Sequence, residues 1–267
     1  MNDRAFYERF WADFQSPLAM QLAIHRESRR PLLKLLAQLL AGAPAARTLE
    51  VGCGTALDSC LVAAAHPGVR AHSCDLSEHA VHLARGNSRE LGIELHAFAG
   101  DLTALPYPDS SFDLVFSQGV LEHFKDLTAA MREQVRVLRP RGALVVDVPQ
   151  KFNVYTLRKH QAMREERWPW GWETEYSARE LRAWAPQYGL EVAGAVGYQH
   201  GPILDRLLVH PHRTLRRLLA RAQGHPWPNG YCPGRLARGW EALWDAVDAR
   251  LGPYLAINVA VAFRKLA

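Results

Sequence analysis

Two hydrophobic rhythms alternate along the chain. Phe6, Phe10 and Phe14, with Tyr7 and Trp11 beside them, recur at helical spacing and form an aromatic stripe. The stripe suits either packing into a core or covering a cleft, and the pattern does not choose between them. A second helix is expected over residues 31–40, opened by Pro31, whose fixed φ and missing N–H fit a first helical turn. The period then shortens. Residues 48–51 make a brief apolar strand that runs into a glycine turn, and 57–65 make an apolar, alanine-rich helix.

That alternation repeats. Strands are expected at 69–74, 93–99, 112–117 and 143–148. Helices are expected at 77–91, with Ser77 as its cap, and near 127–138, ended by Arg139-Pro140-Arg141-Gly142. Strands separated by helices imply an α/β fold, with a mostly parallel sheet and helices on both faces. The rhythm lapses over 150–176, a stretch rich in Trp, Arg and Tyr. It resumes with a helix to residue 188, where Ser177 and Glu180 have capping-box spacing, and a strand at 190–196. A second irregular, mostly helical stretch fills 199–253, and an apolar strand at 257–263 closes the chain. The expected divisions are therefore a helical cap (1–46), an α/β core (47–149), an insertion (150–176), a core helix and strand (177–198), a helical insertion (199–253) and a final core strand (254–267).

Composition changes this picture little. The chain has 267 residues, 48% of them apolar and 22% charged, enough for a full hydrophobic core. No apolar run is long enough to cross a bilayer, and the N-terminus has no secretion-signal pattern, so no stable membrane insertion and a cytoplasmic location are expected. Cys53, Cys60, Cys74 and Cys232 show no C-x-x-C spacing and read as free thiols. The net charge of +5 is mild and spread out. Arg213, Arg216, Arg217 and Arg221 share one helical face, which suits a solvated surface, with an anionic acceptor or a membrane contact as the competing reading. No nucleic-acid module and no metal-ligand spacing is visible, so neither a nucleic-acid partner nor a metal is expected.

The sharpest chemistry lies in Leu49-Glu50-Val51-Gly52-Cys53-Gly54-Thr55-Ala56, at the junction of the first strand and the helix after it. Glycines there let the backbone turn tightly and approach a ligand, and the helix start adds free N–H groups. Glu50 precedes the turn. A carboxylate at this strand end would repel a pyrophosphate and welcome an ammonium group. Asp75 ends the second strand, 23 residues after Gly52, where it suits a ribose diol. Asp101 and Leu102 follow the third strand, placed to read an exocyclic amine and a ring nitrogen. Together these residues describe a cleft for an adenosine carrying an amino-acid tail.

With Asp109-Ser110-Ser111-Phe112-Asp113-Leu114-Val115, Val120-Leu121-Glu122-His123 and Leu138-Arg139-Pro140-Arg141-Gly142, the region 48–149 resembles the cofactor half of class I S-adenosylmethionine-dependent methyltransferases. The resemblance implies a Rossmann-like seven-stranded sheet, mostly parallel with the last strand antiparallel. It implies that Gly52, Cys53 and Gly54 pass under the methionine part and that Glu50 supports its ammonium group. Asp75 would hold the ribose, Leu76 one adenine face, and Asp101 and Leu102 the adenine edge. Ser117 or Gln118 would offer a backbone carbonyl to the methionine amine. The third glycine of the turn is replaced by Ala56.

The implied reaction moves a methyl group from S-adenosylmethionine to an O, N or C atom of a small-molecule acceptor by in-line displacement, leaving S-adenosylhomocysteine. His123 is the candidate general base, with a structural role as the competing reading. Tyr155, His160, Trp172 and Tyr176, with Trp168 and Trp170 between them, are candidates for the acceptor wall; they equally suit packing of the insertion onto the sheet. Two other functions stay open: a catalytically silent methyltransferase-like protein that binds a partner, and an NAD-dependent oxidoreductase. The second is disfavoured because Leu57 stands where G-x-G-x-x-G needs its last glycine. Oligomeric state has no sequence signature.

Overall fold

The computed structural model describes residues 4–168, 172–199 and 250–267, with Leu218 and Ala246 as single positions. Cys232, Trp170, the Arg213–Arg221 face and nearly all of the 199–253 insertion lie outside the described residues.

Three helices open the chain: α1 (Arg4–Ala12), α2 (Leu18–Ser28) and α3 (Arg30–Leu39). The core follows as β1 (Arg47–Val51), α4 (Leu57–Ala65), β2 (Arg70–Asp75), α5 (Glu78–Glu90), β3 (Leu95–Ala99), β4 (Phe112–Gln118), α6 (Thr128–Val137) and β5 (Leu138–Pro149). Then come α7 (Val154–Arg164), α8 (Ala178–Arg182), β6 (Leu190–Tyr198) and β7 (Asn258–Lys265). The sheet order is β3-β2-β1-β4-β5-β7-β6. β1 to β5 run parallel, and β7 runs antiparallel between β5 and β6. This is the seven-stranded Rossmann-like sheet that the sequence implies.

Side chains alternate across β5 because a strand points successive residues to opposite faces. Leu144, Val146 and Val148 join one core, under α6 and α8; Ala143 and Val145 join the other, under α3. Burial on both faces explains the near-continuous apolar reading of the central strands.

Several expected boundaries shift for local reasons. The helix expected over 177–188 stops early. Its capping box is present, but Pro186 lacks the N–H for another turn, and a 3-10 turn (Ala185–Tyr188) replaces the rest. The strand expected at 93–99 begins at Leu95, because the Ile93 N–H returns to the Ser88 carbonyl to close α5. The strand expected at 143–148 begins at Leu138. Leu138 pairs with Phe112, Arg141 turns at φ 62, and pairing resumes at Ala143, so the Arg-Pro-Arg-Gly stretch is a bulge within β5. The 150–176 stretch contains a full helix, α7, capped by the Asn153 side chain accepting from the Thr156 N–H at 2.9 Å.

Candidate active site

The parallel strands end together on one side of the sheet, and there the structure encloses a cavity of about 530 Å³. β1 delivers the chain into the turn. Gly52 and Gly54 adopt positive φ of 64° and 51°. A Cβ on Gly52 would come within 2.3 Å of Val120 Cγ2, and one on Gly54 within 2.6 Å of the Trp11 ring. No larger residue keeps this close approach. Ala56 also turns left-handed, at φ 51. That costs ~1–2 kcal/mol for a residue with a Cβ. Its fully buried methyl, packed with Val81 and Ala84, offsets ~0.8 kcal/mol.

The three acids of the sequence reading come together at this cavity. Asp75 lines it with both oxygens oriented by backbone: Oδ2 accepts the Gly54 N–H at 2.9 Å, and Oδ1 accepts the Ser77 N–H at 2.9 Å. Burial pushes its carboxyl above the usual range, although those two bonds pull the other way. Asp101 is oriented by Thr103, whose N–H and hydroxyl both donate to Oδ1 at 2.8 Å. Glu50 is buried in β1, and its Oε2 accepts the Ser59 N–H at 3.1 Å and the Ser59 hydroxyl at 2.6 Å. Burial, with Asp58 adding repulsion, pushes Glu50 up to about 8. Glu50 therefore ties β1 to α4 while still lining the cavity. Cys53, Leu76, Leu102 and Gln118 line it too. Ser117 does not; it is buried in β4 with its hydroxyl unpartnered among the described residues.

The aromatic stripe covers the cleft. α1 has no buried residue, yet Tyr7, Phe10, Trp11 and Phe14 face the cavity. The helix is pinned by Glu8, which accepts from the Ser77 hydroxyl at 2.8 Å, the Glu78 N–H at 2.8 Å and His79 Nδ1 at 2.7 Å. A carboxylate at the start of α5 complements the helix dipole.

A chain of buried and half-buried polar groups also reaches the cavity. Arg29 donates to Asp58 and to the Gln118 side-chain carbonyl; Gln118 donates to the Tyr198 hydroxyl at 2.7 Å; Tyr198 donates to Asp147. Arg29, Asp58, Gln118 and Asp147 all line the cavity. Burial pushes Asp147 up to about 8. Sequence reasoning missed this network. The available signal was Asp147 itself, a single acid inside an apolar strand; Arg29 and Tyr198 carry no local pattern that marks them.

His123 sits on a 3-10 turn (Leu121–His123) after β4 and lines the cavity. Its Nδ1 lies 3.3 Å from the Trp172 carbonyl oxygen, and Tyr7 packs edge-on against the ring at 5.9 Å. Burial lowers its pKa below the usual 6.5. A second histidine, His25, also lines the cavity, with Nδ1 2.8 Å from the Gln21 carbonyl of its own helix. The proposed acceptor-wall residues are placed elsewhere. Tyr155 packs on Trp168, His160 pairs with Glu175, and Tyr176 packs on Trp184. Trp172 is 46% exposed and reaches the site only through its carbonyl. None of these four side chains is among the residues that line the cavity.

Comparison with known proteins agrees with this geometry. Residues 49–146 match the family described as a methyltransferase domain. Over 189 residues the chain is 30% identical to the malonyl-[acyl-carrier protein] O-methyltransferase of Herminiimonas arsenicoxydans, covering 71% of this chain and 66% of that protein. Across the first curated relatives, the matched stretch spans from about a third to about two thirds of their length. Among solved structures, a putative sarcosine dimethylglycine methyltransferase from Galdieria sulphuraria superposes with a TM-score of 0.59 at 18% identity, covering 98% of both chains. The [4+2]-cyclase SpnF gives 0.57 at 23% identity, covering 88% of this chain and 80% of its own. At such identities the structural likeness speaks for the fold alone. The chain belongs to the class I S-adenosylmethionine-dependent methyltransferase family.

Proposed function

We propose that this protein transfers the methyl group of S-adenosylmethionine to an O, N or C atom of a small-molecule acceptor. The carrying observation is that Glu50, Asp75 and Asp101, from three neighbouring strand ends, share one cavity with the Gly52–Gly54 turn. Leu57 stands where a dinucleotide turn needs its last glycine, which disfavours the NAD reading. The glycine approach and the oriented Asp75 carboxylate fit a ribose and an amino-acid tail.

S-adenosylmethionine, when bound, supplies a methyl group on a sulfonium sulfur that takes the C–S electron pair as it leaves. Asp75 would accept from the ribose hydroxyls, and Asp101 with the Leu102 N–H would read the adenine edge. Glu50 and Gln118 would face the methionine end. Arg29, charged and held by Asp58, offers a guanidinium for a carboxylate at that same end. The aromatic residues of α1 exclude water and hold an apolar or flat acceptor. Fixing two reactants in line is worth ~7–11 kcal/mol of barrier, so positioning carries most of the task. For a hydroxyl or amine acceptor, the proton released as the new bond forms passes to His123 Nε2 and then to solvent. Burial keeps His123 neutral near pH 7, the form that accepts a proton.

Among the described residues no helix is long and apolar enough to cross a membrane. Cys53, Cys60 and Cys74 are free and buried, and burial pushes Cys60 up to about 12. Such thiols fit a reducing compartment, and we place the reaction in the cytoplasm.

The test uses methyl-labelled S-adenosylmethionine with a panel of small alcohols, amines and acidic carbon compounds. Labelled product together with S-adenosylhomocysteine is expected for one class. Tight S-adenosylhomocysteine binding without transfer to any class would instead favour the silent, partner-binding reading.

A further inference from the structure

Behind His123 lies a buried ionic cluster that the proposed reaction does not use. Lys159, on the inner face of α7, has no exposed side-chain surface. Its ammonium donates to Glu173 Oε2 at 2.8 Å and also bonds Glu175. The outer contacts complete the cluster: Trp168 Nε1 donates to Glu173 at 3.3 Å, and His160 Nε2 lies 3.0 Å from Glu175. Burial opposes the Lys159 charge, but its bonds to the two carboxylates outweigh burial and hold it charged.

Glu173 and Glu175 belong to a short extended strap, residues 172–176. Its far end is fastened to β5, with the Tyr176 N–H donating to the Pro149 carbonyl at 3.1 Å. Its near end crosses the catalytic turn. The Thr174 N–H donates to the Glu122 carbonyl at 2.9 Å, and the Trp172 carbonyl meets His123 Nδ1 at 3.3 Å. A carbonyl oxygen only accepts, so this contact requires the proton on Nδ1. The lone pair is then on Nε2.

We propose that Lys159 is a positioning residue for His123: by pinning Glu173 and Glu175 it holds the strap where the Trp172 carbonyl fixes the Nδ1–H tautomer. The inference rests on His123 as the base, but its structural content is independent of any acceptor. In a metal site or a catalytic triad, the group behind a histidine sets which nitrogen works. Here that group is a backbone carbonyl, and its position depends on a buried charge on another helix. Alternation along the strap explains the design: Glu173 and Glu175 face Lys159, while Thr174 turns its N–H to the Glu122 carbonyl.

The test is long-range ¹H–¹⁵N correlation on the full chain labelled at histidine, with the His123 signal assigned from His123→Ala. The wild type is expected to show a protonated Nδ1 and a bare Nε2. Lys159→Met should average the two nitrogens toward a mixed tautomer, and Lys159→Arg should restore the wild-type pattern. Glu173→Gln, which keeps shape while weakening the pair, should shift part of the way and serves if Lys159→Met does not fold. S-adenosylhomocysteine affinity should change by less than about twofold in all three. A wild-type His123 protonated on Nε2, or an unchanged Nδ1–H tautomer in folded Lys159→Met and Glu173→Gln, would overturn the proposal. Failure to bind S-adenosylhomocysteine at all would sink the proposed function, and with it the catalytic role of His123, while the tautomer measurement would still decide whether Lys159 positions the ring.

Discussion

The Trp11 indole lies directly over Gly54, so close that a Cβ there would come within 2.6 Å of the ring. The lid helix and the glycine turn are thus one unit. Gly54→Ala should displace α1 and add left-handed strain of ~1–2 kcal/mol. The expected result is at least a tenfold loss of S-adenosylhomocysteine affinity by calorimetry. Adding Trp11→Ala removes the collision, so the double variant should lose less than the sum of the two single changes. Additive losses would show that the contact does not couple the two.

Glu8 is the pin of that lid. Hydrogen bonds from His79 and the Glu78 N–H hold its carboxyl down at about 2. A depressed carboxylate stabilises the fold above its ordinary pKa, and that contribution disappears as pH falls through the depressed value. The α1 amides should therefore keep their hydrogen-exchange protection from neutral pH down to about pH 4. Glu8→Gln should lower that protection at every pH above about 4, while leaving β1 and β4 unchanged. Protection of α1 that survives Glu8→Gln would remove Glu8 as the anchor.

Asp147 and Glu50 behave in the opposite sense. Burial pushes both up to about 8, so each favours the folded state while protonated and loses that contribution as pH rises through about 8. The ligand-free protein should therefore lose thermal stability between pH 5 and pH 9. Asp147→Asn keeps the shape without the charge and should flatten that decline, with a higher Tm than wild type at pH 9. A steeper decline in the variant would contradict burial as the cause of the raised Asp147 pKa.

The His123 reading predicts a specific pH profile. Burial lowers its pKa, so the rising limb of kcat/KM should lie below 6.5, with a plateau through neutral pH. His123→Ala should remove that limb and reduce turnover by ~10²–10⁴-fold for a hydroxyl acceptor. His25→Ala should leave the limb in place. A limb that follows His25 instead would transfer the base role to α2.

Much of this was legible in the sequence for a physical reason. The glycine turn, Asp75, Asp101 and the Ser177–Glu180 capping box are local devices, complete within a few residues, so their spacing alone announces them. β4, β5 and β7 were legible because burial on both faces gives them near-continuous apolar runs, and the half-buried β3 and β6 because they recur in the rhythm of strand and helix. What stayed hidden depends on distant partners. Gln118 works through Arg29 and Tyr198, which stand 89 and 80 residues away. Lys159 reads as an ordinary basic residue until the fold sets Glu173 and Glu175 against it. Aromatic composition does not tell a lining from a packing: Tyr7, Phe10 and Trp11 of α1 line the cavity, whereas Tyr155 and Tyr176 pack on Trp168 and Trp184.

Oriented acids at neighbouring strand ends are proposed to grip an adenosine that carries an amino-acid tail. Calorimetric titration of wild type and Asp75→Ala with S-adenosylhomocysteine, and of wild type with NADH, tests it most directly. Binding of S-adenosylhomocysteine is expected, at least tenfold weaker in Asp75→Ala, and none of NADH at the same concentrations. Equal affinity in the two proteins, or preference for NADH, would contradict it.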